Sequence, residues 1–534
     1  MFLSCGRLTS IALVLCGVCG AGCGARTGIY LSDAGVDPPP VPCVTDLDCA
    51  TGDLCAPAEC REGICASLPA TVCDDHDECT SDSCDPDSGK CAFTPVTLDL
   101  DGDGHRSPKP GFAPGAPGSC GDDCNDSSAA AHPGGVEICD GVDNDCNGVI
   151  DDGAAYGAPT AAVRVSSSKF DLALNPSLAF DGKRYGAIYT GHDKISSSYF
   201  NGLARDGTSV VPETPLTDIN SETYAGTALY NGSFFERSWA DARRDGNYEV
   251  YFNRFDSNGK KLGPDVQVTN APDFSLNSVP VWNGTQTLLV WDDRRFSTPG
   301  SDDVRLFGQL VAFDGSLVGG NLLLTGASEN DESPDVALGQ KRVGIAFPSS
   351  QHPNGTVHTK FLTTAPDLSD VSASTDLGGV DVQGTHLVSV SGHFLVAWEQ
   401  AGTRAAGGTP VPHGPSVIAA VVDENGAVLQ PARPITSGAT IARSFSLLSL
   451  GDRALLFWAD NQRGNFEIYW QILGPNLEIL TPRTRLTSTT SDSFFPSPAF
   501  GPNGDVGVLY VNLQTNFQQI YFVGMGCVLP PPVR

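Results

Sequence analysis

From residue 158 to the C-terminal region the chain repeats one pattern of apolar and polar positions. A short apolar run ends in an aromatic, a polar turn follows, and a second apolar run comes after it. The aromatic recurs as Tyr189, Trp239, Trp291, Phe347, Trp398, Trp458 and Tyr510, roughly every 50–60 residues. Leu288-Leu289-Val290 and Ala454-Leu455-Leu456-Phe457 are typical first runs, and Glu249-Val250-Tyr251-Phe252 and Glu467-Ile468-Tyr469-Trp470 are typical second runs. Turns with Asp-Gly or Asn-Gly punctuate them at Asp181-Gly182, Asp206-Gly207, Asn258-Gly259, Asn283-Gly284, Asp314-Gly315, Asn425-Gly426 and Asn503-Gly504. Glycine supplies the left-handed backbone that a tight hairpin turn needs. Strands punctuated this way at this period predict the blades of a β-propeller.

A fourth, outer strand closes most units near Thr217, Thr269, Thr325, Thr436 and Thr487, and the unit around Asp376 is degenerate. No such strand remains after Tyr521. A spare copy, Val163-Arg164-Val165-Ser166, precedes the first unit. Borrowing it would close the ring and remove an open edge, which predicts seven blades, or six if the unit between Pro334 and Asp376 is irregular.

The pattern changes ahead of residue 158. Residues 1–23 place Arg7 before an apolar run and end in small residues, as a signal peptide does. Residues 24–42 close on Asp37-Pro38-Pro39-Pro40, a stiff spacer. Residues 43–97 have few large apolar side chains and nine cysteines, from Cys43 to Cys91, with no Cys-x-x-Cys pair. This spacing argues for disulfides in an exported chain and against zinc. The sequence predicts a mainly β protein: a small disulfide-rich module over 43–97, a calcium-loop-like neck over 98–156 and a propeller over 158–528. Acidic residues number 62 against 32 lysines and arginines. The resulting charge of −30 excludes nucleic acid and an anionic membrane surface as partners and favours a divalent cation.

That cation has a candidate site. Asp99, Asp101 and Asp103 alternate before Gly104, and Asp143, Asp145 and Asn147 alternate before Gly148, with Asp151 beyond. This is the first half of a calcium loop, in which positions 1, 3 and 5 converge oxygens on one ion and a glycine at 6 makes the turn. The bidentate Glu of position 12 is missing, since Pro110 and Ala154 stand there. Asp122, Asp123, Asp126, Glu137 and Asp140 are available to complete either cage. The predicted ligands are Asp99, Asp101, Asp103, Asp123, Asp126, Asp140, Asp143, Asp145, Asn147 and Asp151. Calcium leads and copper comes second, because residues 24–153 hold no Met and only His76, His105 and His132. The Pro- and Gly-rich insert from Pro108 to Gly118 separates the first triplet from Asp123 and leaves open whether they share an ion.

Five stretches resemble known families. Asp123-Cys124-Asn125-Asp126 through Glu137-Ile138-Cys139-Asp140-Gly141-Val142-Asp143-Asn144-Asp145-Cys146-Asn147-Gly148 to Asp151-Asp152-Gly153 resembles a metal-binding motif of bacterial surface proteins, a family that includes copper-associated outer-surface proteins of methane-oxidising bacteria. Val72-Cys73-Asp74-Asp75 through Cys84-Asp85-Pro86 to Cys91 is similar to cysteine-rich repeats of secreted bacterial proteins, which implies a stalk or adhesion module. Gly20-Ala21-Gly22-Cys23 resembles a bacterial lipobox, which implies a lipid at Cys23 and a place in the cell envelope, at an outer membrane or the cell surface. Gly246-Asn247-Tyr248-Glu249-Val250-Tyr251 and Gly464-Asn465-Phe466-Glu467-Ile468-Tyr469 look like repeats of TolB-type propellers, which implies protein binding.

The sets Trp239/Asp241/Arg243, Trp291/Asp293/Arg295 and Trp458/Asp460/Arg463 invite a catalytic reading, with arginines meeting an anionic ligand. Recurrence argues otherwise, because a residue present in blade after blade serves the repeat's own packing. Gly-x-Ser-x-Gly, His-Glu-x-x-His and phosphate-binding loops are absent. The sequence therefore predicts a lipid-anchored surface protein that is not an enzyme, with a propeller that binds a protein or glycan. The alternative is a secreted glycan-acting hydrolase with its site in the propeller channel.

Overall fold

The computed structural model describes residues 41–528 apart from 141, 149–150, 152–154, 218–221, 225, 244–245, 300–301, 328, 352–355, 401–415, 437–440 and 515–516. The signal-like leader and Cys23 lie outside the described residues. Two compact units divide the chain at residue 96.

The first unit holds two short hairpins, Ala58–Arg61 with Ile64–Ser67 and Thr80–Cys84 with Cys91–Pro95. Val44, Leu47 and Val72 remain exposed, so an apolar core does not hold it. Disulfides Cys43–Cys60, Cys49–Cys65, Cys55–Cys84 and Cys73–Cys91 do so instead.

The second unit contains the acidic stretch and the propeller. Its strands form successive antiparallel meanders over residues 172–215, 223–267, 275–323, 329–378, 382–434, 442–485 and 492–528. The recurring aromatics sit on the second strand of each meander, and Trp239, Trp291, Trp398 and Trp458 are fully buried. Core layers lie between adjacent blades. Val421 and Leu395 of one blade, for example, share a cluster with Leu456 and Trp458 of the next. Truncating such a ring costs about 3–5 kcal/mol.

The recurring polar residues tie strands together. Thr217, Thr269, Thr325, Thr436 and Thr487 each accept a third-strand amide on the hydroxyl, at 2.8–3.1 Å. In the degenerate unit a short outer strand, Thr375–Gly378, stands in place of this device. At Gly207, whose φ is +84°, a Cβ would fall 2.4 Å from the Phe522 ring, so the turn of one blade closes on the next only with glycine.

The ring closes where the spare strand predicted. Val163–Arg164 pairs antiparallel with Phe517–Val528, with Phe522 opposite Val163 and Tyr521 opposite Arg164. Ala155–Pro159 extends the same edge, with Cys527 opposite Tyr156. Ser166 Oγ donates to Gln519 Oε1 at 2.7 Å and accepts from the Ile520 amide at 3.0 Å.

Candidate metal centre and channel mouth

In the acidic stretch each short Asp side chain first satisfies the backbone of its own turn. Asp99 accepts the amides of Gly102 and Gly104 at 2.7 and 3.1 Å, and Asp143 accepts those of Asn147 and Gly148 at 3.1 and 2.7 Å. Gly104 and Gly148 have φ of +98° and +93°, the left-handed turn that position 6 of a calcium loop requires.

Three acidic groups result, each with ligand oxygens within 4.8 Å of one another: Asp99, Asp101 and Asp126; Asp101, Asp103 and Asp123; Glu137, Asp143 and Asp145. The insert from 108 to 118 does not separate the first triplet from its partners. Lys109 donates to the Ser119 carbonyl at 2.7 Å, so the insert leaves and returns at one point. Gly121 then crosses Arg106 and Ser107 so closely that a Cβ would lie 2.1–2.2 Å from their carbonyl oxygens. Asp123 and Asp126 are thereby carried back onto the triplet.

Among the predicted ligands, Asp99, Asp101, Asp103, Asp123, Asp126, Asp143 and Asp145 fall in these groups. Asn147 caps Asp145, donating its side-chain amide at 3.0 Å. Asp140 and Asp151 stand apart: the Asp140 amide donates to Asp151 at 3.2 Å, and Asp151 lies 3.6 Å from Arg453 of the propeller. Glu137, foreseen only as a replacement carboxylate, completes the third group and fixes the loop by accepting the Asp145 amide at 2.8 Å.

The groups fit a hard divalent cation. Asp123 is 1% exposed, and its Oδ2, with Oδ2 of Asp101 and Asp103 and Oε2 of Glu137, is buried without a hydrogen-bond partner. Burial and the neighbouring carboxylates push the Asp123 and Glu137 carboxyls up, the direction expected where like charges await a cation. His105 and His132 stack with centroids 4.9 Å apart, and among the described residues no histidine joins an acidic group. The disulfide Cys124–Cys146 cross-links the stretch, and Cys139–Cys527 bonds it to the last propeller strand.

At the propeller the tryptophan–aspartate–arginine sets are structural ties. The indoles of Trp239 and Trp291 donate to Asp241 and Asp293 at 3.1 and 2.9 Å, and Arg243 and Arg295 clamp the same carboxylates. In the third set Arg483, just ahead of the outer strand Thr484–Arg485, holds Asp460 at 3.0 Å, while Arg463 is exposed.

The residue after each recurring aromatic tells more. It is Thr190, Ala240, Pro348, Ala459 or Val511 in five blades, and an acid, Asp292 or Glu399, in the other two. Repeat equivalence places both acids at the same end of the ring, where inner strands begin with a bulge. Residues with left-handed backbone mark that bulge at Asn175, Asn277, Ser333, Ser444 and Phe495. Asp292 accepts the Ser333 amide at 2.8 Å and the Asn277 side-chain amide at 2.7 Å, and Glu399 accepts the Ser444 amide at 2.9 Å. Burial pushes Asp292 up to about 6, against the opposing pull of those two amides. It also raises Glu399, against the Ser444 amide and the nearby Arg443. Beside Glu399 a cavity of about 390 Å³ opens, lined by Arg443, Ser444, Phe494, Phe495 and Leu513. Sequence reasoning missed these acids, although the break in the repeat was there to be seen.

The comparisons bear on both regions. Residues 123–152 match the family model Cu-binding MopE, described as "Putative metal-binding motif", and residues 72–96 match one described as a Dictyostelium (slime mold) repeat. No curated protein matches. Among solved structures the chain is similar to the GH93 α-L-arabinofuranosidase of Fusarium graminearum, at 10% identity and a TM-score of 0.42 over 61% of this chain and 99% of that one. It is similar to the α-L-arabinanase of Penicillium chrysogenum at 9% identity and a TM-score of 0.42, over 61% and 100% of the two chains. A subtype N10 neuraminidase-like protein of A/little yellow-shouldered bat/Guatemala/060/2010 is similar at 10% identity and a TM-score of 0.38, over 71% and 100% of the two chains. The expectation of a non-enzyme is corrected by this comparison, because the similar structures are mostly glycoside hydrolases and neuraminidases. A search for short motifs does not register side chains that separate blades bring together, as Glu399 and Arg443 line one cavity here.

Proposed function

We propose that this chain is an exported protein that binds calcium through its acidic stretch and acts on a glycan at the propeller's channel mouth. The metal reading is carried by the buried carboxylate oxygens of Asp101, Asp103, Asp123 and Glu137 that have no partner within the protein. An all-oxygen donor set suits calcium better than copper. The ion would neutralise clustered charge and fix the loops, a structural role.

The glycan reading is carried by Glu399. Burial raises its carboxyl above the ordinary range, and a carboxyl raised in this way is suited to giving a proton to a glycosidic oxygen as a general acid. Asp292 is a second acid at the same end of the ring, held by its own pair of amides. The anchor reading is carried by Gly20-Ala21-Gly22-Cys23 and extends the proposal to the cell envelope.

A Cys23→Ser form of the full chain gives soluble protein for the test, and its appearance outside the membrane fraction checks the anchor. This form is screened against polysaccharides for release of reducing ends, alone and with Glu399→Gln. The expected result is a product that falls at least about a hundredfold in Glu399→Gln at an unchanged melting temperature. Turnover that Glu399→Gln leaves intact would remove Glu399 from the reaction.

A further inference from the structure

We propose that the cavity beside Glu399 is a subsite for a sugar residue that bears a carboxylate, with Arg443 receiving the carboxylate and Phe495 facing the ring. This deepens the glycan reading above and rests on it. In a chain with 62 acidic and 32 basic residues, an arginine normally finds an acid. At this end of the ring Arg243 holds Asp241 and Asp265, Arg295 holds Asp293, and Arg483 holds Asp460. Among the described residues Arg443 makes no ion pair, and its buried Nε has no hydrogen-bond partner.

Its place in the repeat is equally unusual. Arg443 lies opposite Ala459, where the matching inner-strand positions of other blades hold Leu174, Leu276, Gly384 and Phe494. The guanidinium lies over the rings of Phe466 and Phe494, 4.3 and 4.9 Å from their centroids. Two aromatic faces fix its plane without using its donors. A fixed planar fork with unspent N–H groups suits a carboxylate, which it can bind through two parallel hydrogen bonds.

Phe495 supplies the second, independent observation. It occupies the bulge that Asn175, Asn277, Ser333 and Ser444 occupy elsewhere, small polar residues that tolerate left-handed backbone. A phenylalanine at φ +54° is strained there and is also 53% exposed. Neither burial nor backbone preference accounts for it, and an aromatic face for a sugar ring does. Glu399 lines the same cavity, and burial raises its carboxyl, the direction that lessens its repulsion of an anionic ligand.

The test is calorimetric titration of the full chain, at fixed free calcium, with uronic-acid oligosaccharides, sialyl oligosaccharides and the carboxyl-reduced neutral counterpart of each. Wild type, Arg443→Met and Phe495→Ala are compared. We expect one carboxylated series to bind, with affinity at least about tenfold weaker for its reduced counterpart and for Arg443→Met, and with binding that weakens as salt rises. Which series binds identifies the source of the carboxylate. Equal binding of neutral and carboxylated forms, or an unaffected Arg443→Met, overturns the anionic subsite and leaves the glycan reading standing. Failure to bind any saccharide, charged or neutral, overturns both. Should Arg443→Met not fold, the comparison of charged and reduced ligands on wild type decides alone.

Discussion

Asp292 shows what one residue can add to a repeat. Its carboxyl is 3% exposed and sits where neighbouring blades place Ala240 and Pro348. Its ordinary value is 3.8 and its folded value is about 6, so between these pH values the native state holds a proton that the unfolded chain has lost. Stability from this group is therefore fully present below about pH 4 and is lost as pH rises through about 6. The loss is on the order of 3 kcal/mol. Asp292→Asn keeps an acceptor for the Ser333 amide and removes the titration. Urea unfolding of both proteins from pH 4 to 8 should give a stability gap that opens in favour of the variant as pH rises; a constant gap would show that burial does not raise this carboxyl. The tryptophan–aspartate–arginine sets were legible at this scale, because recurrence itself argues for packing. Arg483 was not legible as the third arginine, since it reaches Asp460 from 23 residues away, from the residue ahead of another strand, and only the pairing of that strand brings it there.

The element that most clearly follows from sequence is the closing strand. An outer strand was missing from the last blade and a spare one preceded the first, and unsatisfied edges pair. The pairing of Val163–Arg164 with Phe517–Val528 is the result. The further segment Ala155–Pro159 was not legible, because Ala155-Tyr156-Gly157-Ala158-Pro159 lacks apolar alternation and is held by a neighbour on the far side of the chain. Ser166 makes this closure testable with a light touch. Its hydroxyl serves both Gln519 and the Ile520 amide in a buried setting, so Ser166→Ala should cost about 1–3 kcal/mol. Deleting residues 158–168 should do more, exposing the edge of the last strand and driving aggregation that light scattering would detect. A soluble deletion form of unchanged melting temperature would mean that closure contributes nothing.

On the scale of the whole molecule, the acidic stretch and the propeller are one mechanical object. Cys139–Cys527 joins residues 388 apart, the Tyr156 hydroxyl donates to the Cys139 carbonyl at 3.0 Å, and Arg453 reaches Asp151. The alternating Asp triplets announced the cation in the sequence, but a disulfide partner cannot be read from spacing, so this link was hidden. Its consequence is thermodynamic. On the proposed calcium reading, carboxylates that repel one another without an ion would be drawn together with one, so the stretch should become more ordered as calcium binds. The disulfide Cys139–Cys527 should then pass that order to the strand that closes the ring. With the second half of each calcium loop missing, affinity should be that of extracellular modules, about 10⁻⁴–10⁻³ M. At a hundredfold excess over that constant the gain is about 2.7 kcal/mol. Calorimetric unfolding of the full oxidised chain should therefore show the propeller transition rising as calcium reaches millimolar levels. Asp123→Asn and Glu137→Gln should each reduce the rise, because each removes a charge from a different acidic group. In Cys139→Ser/Cys527→Ser the ion should still protect the amides of the acidic stretch from exchange but no longer move the propeller transition as far. A propeller transition indifferent to calcium in the wild type would sink the coupling, and an equal rise in the double serine variant would place it outside the disulfide.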